Sequence, residues 1–195
     1  MAKLLAFLNK GVIEAGCDEA GRGCLAGPVV ASAVILDDKT ANDLALDDSK
    51  KLSEKKRNAL RLEIEEKALS WAVSFVSNDQ IDEINILQAS FLAMRQAVEQ
   101  LFIRPDHILI DGNRFVTSET MPPHTCIIKG DGKYASIAAA SILAKTHRDE
   151  FMQKASEEFP GYDWYNNVGY PTSKHKAAIK KMGLTKLHRN SFNMS

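Results

Sequence analysis

Four acids stand where chemistry is done in sheet proteins, at the ends of strand-like runs. Asp18 and Glu19 close the run Val12–Asp18, Asp111 closes His107–Asp111, and Asp131 follows Thr125–Lys129. A cluster of carboxylates without Cys or His suits a hard divalent cation, Mg²⁺ or Mn²⁺. Two such ions about 4 Å apart can activate a water and stabilise the leaving oxygen of a phosphodiester. Taken singly, each acid reads equally well as a solvated loop residue, as Asp37, Asp38, Asp43, Asp47 and Asp48 do. Adjacent strand residues point to opposite faces, so Asp18 and Glu19 share a site only if the chain turns there. Gly21 and Gly23 make such a turn plausible.

The run Gly21-Arg22-Gly23 also has a binding reading, because glycine admits positive φ and lets backbone N–H groups approach a ligand closely. Its plainer reading is a simple turn. Tyr170, inside Gly169-Tyr170-Pro171-Thr172, lies beside a basic segment and could stack on a base or sugar; its plainer reading is a core or surface tyrosine. After Asp163 there is no acid, while Lys174, Lys176, Lys180, Lys181, Lys186 and Arg189 follow, and a second basic cluster runs Lys50, Lys51, Lys55, Lys56, Arg57. Such clusters neutralise phosphates even on a neutral chain, or are solvated helix faces.

The elements that must position these residues follow from periodicity. Val12–Asp18 reads as a strand entering the glycine turn, and Pro28–Leu36 as a second, largely buried strand. Asp37–Lys51 is polar and loop-like. Ser53 is a fitting N-cap for a helix from Glu54 to about Leu69. Trp71–Val76 gives a third strand, and Asp79 to Leu101 one long amphipathic helix. The short strands His107–Asp111 and Thr125–Lys129 precede a long helix, Tyr134 to Glu158, whose alanine-rich first half can lie close against a sheet. A basic helix, about Ser173 to Met182, ends the pattern. This order predicts a layered α/β fold with a mixed sheet.

The 195 residues, 45% hydrophobic and 26% charged with zero formal net charge, suit one continuous domain with a real core. Bulk charge therefore says nothing of a nucleic-acid partner. Cys17, Cys24 and Cys126 form no CxxC pair, and the five histidines lack zinc spacing, so neither zinc nor a disulfide framework is expected. With no membrane-length apolar run and no signal-peptide pattern, a cytoplasmic protein is expected.

Read together, the motifs resemble a known family. GCDEAGRGCLAGPV (Gly16–Val29) resembles the opening motif of bacterial ribonuclease HII. LDDSKKLS (Leu46–Ser53), LIDGN (Leu109–Asn113), KGDGKYASIAAASILAKTHRD (Lys129–Asp149), NVGYPTSKH (Asn167–His175) and LHRNSF (Leu187–Phe192) match its later motifs in order. The resemblance implies a ribonuclease H-like fold, a five-stranded mixed sheet flanked by helices, as one catalytic domain over residues 1–195 with a basic helical C-terminal segment from about residue 164. It implies a catalytic, metal-holding quartet of Asp18, Glu19, Asp111 and Asp131 with Mg²⁺ or Mn²⁺. It implies a substrate of RNA–DNA hybrid, or duplex DNA containing ribonucleotides, cut 5′ of the ribonucleotide to leave 3′-hydroxyl and 5′-phosphate ends. Gly21, Arg22 and Gly23 are implied to sense the ribose 2′-OH, which is what separates RNA from DNA at one nucleotide. Tyr170 is implied to pack on the neighbouring sugar, and Ser49, Lys50 and Thr172 match positions assigned to phosphate contacts. A monomer without membrane association is expected, with protein partners unspecified. Two positions depart from the family's pattern: Cys24 replaces the usual proline after the glycine turn, and Cys17 a β-branched residue before the Asp-Glu pair. The alternatives are a ribonuclease HIII-like enzyme, whose turn reads GKG and whose substrate-binding domain precedes the first motif, or a catalytically silent nucleic-acid-binding module, against which all four acids weigh.

Overall fold

In the computed structural model, residues 4–47, 49 and 51–193 are described. Five strands form one sheet: β1 (Glu14–Ala20), β2 (Val29–Ile35), β3 (Ser70–Val76), β4 (His107–Asp111) and β5 (His124–Ile127), in the order β3-β2-β1-β4-β5. β1, β2 and β3 pair antiparallel as a meander, while β4 and β5 lie parallel to β1. The sheet is mixed, as the element order predicted.

Helices cover both faces. Along β2 the alternation is complete: Ala31, Ala33 and Ile35 pack with α4 (Ile86–Glu99) through Ala93, Met94 and Ala97. Val34 instead meets α5 (Ala135–Glu158) through Ala139, Ala140 and Leu143. Burial on both faces explains why β2 reads as a continuous apolar run. Leu60 and Ile64 of α2 (Glu54–Lys67) extend the α5 layer, and Ser53 caps that helix by accepting from Lys56 N–H. The basic helix α7 (Ser173–Met182) falls where its pattern predicted. No helix among the described residues is long and apolar enough to cross a membrane.

Three elements differ from expectation, each for a local reason. The supposed loop after β2 contains α1 (Asp38–Asp43), started by Asp37, whose Oδ1 accepts from Thr40 N–H at 2.6 Å. The helix expected over Asp79–Leu101 is two, α3 (Asn78–Ile84) and α4, because Asn85 takes φ +66°. Asn85 then caps the second helix, its Oδ1 accepting from Leu87 and Gln88 N–H; side-chain capping outweighs continuous amphipathicity there. A one-turn helix, α6 (Trp164–Asn167), precedes the tyrosine loop.

The closest approach in the layer is at Gly16. A Cβ there would collide with the backbone of Ser136 and Ile137, so the N-terminal turn of α5 lies directly on β1. Backbone cannot yield as a side-chain tip does. Gly16→Ala should cost about 3 kcal/mol or more, the upper range for overpacking, read as a lowered urea midpoint at unchanged m-value. A midpoint equal to the parent's would mean that α5 can slide off β1.

Candidate active site

Parallel pairing brings the acids to one edge. β1 and β4 run side by side up to the pair Cys17 and Ile110, and the next residues are Asp18 and Asp111. β5 joins β4 in the same direction, and its C-terminal end leads through Lys129, at φ +56°, into a 3₁₀ turn, Gly130–Gly132, that carries Asp131. Gly130 ties that turn down by donating its N–H to Asp111 Oδ1 at 2.7 Å. A Cβ at Gly130 would stand 2.6 Å from Ile137 Cδ1, so a larger residue there would have to push the Ile137 tip aside. Thus Asp18, Glu19 and Asp111 meet at the C-terminal ends of β1 and β4, with Asp131 on the turn tied to Asp111, at the edge where open α/β sheets hold their ligands.

Asp18 is 6% exposed and points toward α5. Its Oδ1 accepts from Glu19 N–H at 2.7 Å, and Ser141 of α5 supports the same carboxylate. Burial, followed by repulsion from Glu19 and Asp111, pushes the Asp18 carboxyl well above the usual carboxylate range, against these hydrogen bonds. Burial also raises Glu19, opposed by the Arg22 guanidinium at 3.1 Å and reinforced by the charge of Asp111. Ser32 lies across from Asp18 in the β1–β2 pair, and its buried Oγ has no hydrogen-bond partner. The site is therefore oxygen-only and crowded with negative charge. A divalent cation would relieve that repulsion, and these residues fit Mg²⁺ or Mn²⁺. Among the described residues no three His, Cys, Asp or Glu side chains cage one point; Mg²⁺ commonly takes one or two carboxylates and completes its shell with water and substrate phosphate.

The glycine turn follows directly. Gly21 is buried at φ +94°, and a Cβ on it would collide with the Arg148 side chain. Gly23 does not take positive φ; it is exposed, with nothing within 4 Å of where a Cβ would stand. Of the two glycines, the positive φ thus falls on Gly21, where the chain leaves β1. Gly23 is left free for close approach from outside. Tyr170 is 38% exposed, with Lys145 Nζ and the Arg148 guanidinium 5.8 and 5.9 Å from its ring centroid and Cys24 at its hydroxyl. Its carbonyl accepts from His175 Nδ1–H at 3.0 Å, which leaves His175 Nε2 to accept the Trp164 indole N–H at 2.9 Å. His188 closes this cluster, and burial, then the neighbouring His175, holds its imidazole down to about 4.

Of the three expected phosphate contacts, Thr172 is exposed and caps α7, accepting from His175 N–H at 3.2 Å. Ser49 is buried, its hydroxyl bonded to Ser141 at 2.9 Å. Lys50 lies outside the described residues. Sequence reasoning missed Ser141, which links Ser49 to Asp18, and the buried pair Arg148 and Arg189. Ser141 is one small residue in an alanine-rich run and gives no signal. The arginines sit inside two of the matched motifs.

The model of the family Ribonuclease HII matches residues 15–195. The chain belongs to the ribonuclease HII family. It is 63% identical over 191 residues to Ribonuclease HII of Bacteroides thetaiotaomicron, covering 98% of this chain and 94% of that one, and 59% identical to Ribonuclease HII of Christiangramia forsetii, covering 98% and 96%. Among solved structures, ribonuclease H2 from Pyrococcus horikoshii superposes with a TM-score of 0.78 at 26% identity, covering 93% of this chain and 94% of that one. RNase HII from Archaeoglobus fulgidus, solved in complex with PCNA, gives 0.79 at 26% identity, covering 93% and 96%. The chain is thus a ribonuclease H enzyme, and its five-stranded mixed sheet is the family's fold.

The crowding of Asp18 has a measurable sign. Its folded carboxyl titrates above its unfolded one, so its contribution to stability is complete below the unfolded value of about 3.9 and is lost as pH rises through the folded value. In EDTA at pH 8, Asp18→Asn should melt several degrees above the parent, each kcal/mol being roughly 2–4 °C at this size. The gap should close as pH falls toward about 4. Equal or lower melting at pH 8 would contradict the crowding.

Proposed function

We propose that this enzyme hydrolyses the RNA strand of RNA–DNA hybrids and cuts 5′ of ribonucleotides embedded in duplex DNA, leaving 3′-hydroxyl and 5′-phosphate ends, and so removes ribonucleotides from DNA. What supports this reading is the meeting of Asp18, Glu19 and Asp111 at one sheet edge, with the Asp131 turn tied to Asp111 through the Gly130 amide, beside a glycine turn and a half-exposed tyrosine. Asp18, Glu19, Asp111 and Asp131 would hold two divalent ions, Mg²⁺ or Mn²⁺. When bound, such ions supply an activated water and stabilise the leaving oxygen. The protein's part is positioning. Ser141 and the Glu19 amide fix one face of Asp18, and the Gly130 amide fixes Asp111. Arg22 bridges from the glycine turn to Glu19, so the turn and the quartet move together.

Recognition of ribose falls to the backbone at Gly21–Gly23, where the open side of Gly23 admits a sugar, and to the Tyr170 ring packing on the next sugar. Thr172, with Ser49 and Lys50, would meet phosphates. All four acids come from one chain, so the reading needs no second copy, and we treat the enzyme as a monomer. Lys174, Lys180 and Lys181 stand exposed on α7, although Lys174 lies 3.7 Å from Asp163. They would neutralise phosphates along the duplex.

Cleavage of a duplex with one embedded ribonucleotide, with and without Mg²⁺, tests the reading. Asp111→Asn keeps shape and loses charge, and it should lower kcat by about a hundredfold or more with the melting curve intact. Near-parent turnover would remove Asp111 from the quartet. Neutralising Lys174, Lys176, Lys180 and Lys181 together should weaken duplex binding and flatten its dependence on log salt by up to about 0.9 for each phosphate no longer neutralised. An unchanged slope would make α7 a solvated face.

A further inference from the structure

Two arginines behind the glycine turn are buried with no carboxylate in direct contact among the described residues, Asp82 acting on Arg189 only at longer range. Arg148 on α5 is 1% exposed and Arg189 near the C-terminus 0%, although arginine is almost never fully buried unless paired. Neither forms an ion pair with a carboxylate among the described residues. Their partners are backbone carbonyls. Arg148 donates to Ala26 O and Pro28 O at 3.1 Å each and to Val168 O at 2.8 Å. Arg189 donates to Gly27 O and Arg22 O at 3.0 Å each and to Pro28 O at 3.1 Å. Two cations thus converge on one carbonyl, that of Pro28, at considerable desolvation cost; burial is the first cause holding the Arg189 guanidinium down to about 10. A fold that only needed packing there could use apolar side chains.

The carbonyls they hold say what the arrangement is for. Residues 22–28 carry the glycine turn, and Val168 carries the loop of Tyr170. The two segments also touch directly: Leu25 N–H donates to Gly169 O at 2.8 Å, and a Cβ on Gly169 would stand 2.7 Å from Ala26 O. Arg148 shares a stripe of α5 with Ser141 and Lys145, at spacings of seven and three. Ser141 supports Asp18, Lys145 lies by the Tyr170 ring, and Arg148 grips both loops, all within about 10 Å of helix rise.

We propose that Arg148, braced by Arg189, is a positioning residue for ribonucleotide specificity: without touching substrate, it fixes the spacing between the glycine turn and Tyr170 against the same helix that supports Asp18. This rests on the reading of those two loops as the ribose reader. A planar guanidinium serves three diverging carbonyls at once, and a lysine amine at that depth cannot copy the fork. Loosening the clasp leaves the quartet intact and lets the two halves of the reader drift. A single embedded ribonucleotide, with one productive register, suffers most. A continuous RNA tract offers a 2′-OH in every register and suffers less.

The test compares parent, Arg148→Lys, Arg148→Gln and Arg189→Lys on a duplex with one ribonucleotide and on a continuous RNA–DNA hybrid, with kcat and KM separated and melting recorded. Gly169→Ala, whose Cβ would stand 2.7 Å from Ala26 O, opens the same joint from the tyrosine side and serves where an arginine variant does not fold. The expected result is a fall in kcat/KM of about tenfold or more on the single ribonucleotide, as misplacement far from the chemistry can produce, and a several-fold smaller fall on the tract. Hydrogen exchange should quicken at the Leu25 and Gly27 amides but not in β1 and β2. Equal falls on both substrates, or parent-like discrimination with these amides deprotected, would overturn the clasp and leave the nuclease reading standing. A parent that fails to cut the single ribonucleotide would overturn the reading itself.

Discussion

The contact between α5 and β1 is the constraint from which the site follows. Gly16 leaves no side chain where the backbone of Ser136 and Ile137 meets the strand, and the alanine-rich first half of α5 does the same from the other side. At that separation Ser141 reaches the Asp18 carboxylate from behind, and Ile137 seals the space beneath Gly130. Two of the four acids therefore take their positions from one helix. Asp111 is placed by strand pairing, and its bond from the Gly130 amide fixes the turn that carries Asp131. No acid depends on a long flexible side chain reaching across solvent.

This architecture accepts a local loss of stability. The Asp18 and Glu19 carboxyls, both raised by burial and by the charge of Asp111, cannot strengthen the fold in the absence of a counter-charge. The compensation lies in the layers on either side, where β1 and β2 are buried against α4 and α5. The same division recurs in the reader. Arg148 and Arg189 are costly to bury, yet Met152, Tyr162, Trp164 and Val168 form an apolar cluster around Ala26 that excludes water from their hydrogen bonds, which makes each charge-assisted bond stronger than it would be at the surface.

Periodicity carried most of the fold. β4 and α7 match their predicted bounds, and β2 and α2 end within two residues of theirs, because burial on one or both faces writes directly into the apolar pattern. It failed where a single side-chain hydrogen bond overrides the pattern, at Asp37 and at Asn85. The acids were legible as strand ends, but their convergence was not: that depends on β4 and β5 lying parallel to β1, a pairing between segments about ninety residues apart that no local spacing encodes. The glycine turn was legible as a turn, but not which of its glycines takes positive φ, since the packing of Gly21 against Arg148 is a tertiary contact. Ser141 gave no signal within its alanine-rich run, and the arginines, although inside matched motifs, gave no sign of what they hold. Each acts across a tertiary contact.

Cys24 is the departure from the family pattern that touches this machinery. A proline after the glycine turn would stiffen the backbone through its fixed φ. Here the residue is a buried cysteine whose amide donates to Gly21 O at 3.3 Å, closing the turn by a hydrogen bond that proline could not make. Its thiol lies at the Tyr170 hydroxyl, and burial raises it despite the nearby Arg148, Arg189 and Lys145 charges, so it stays protonated and unreactive at neutral pH. Rigidity that a ring would give one loop is thus replaced by a weak polar contact between two loops. That contact draws the tyrosine toward the turn, along the same line on which Arg148 joins Ala26 and Pro28 to Val168. A small polarizable side chain is tolerated there because the guanidiniums, not the turn's own stiffness, set the spacing.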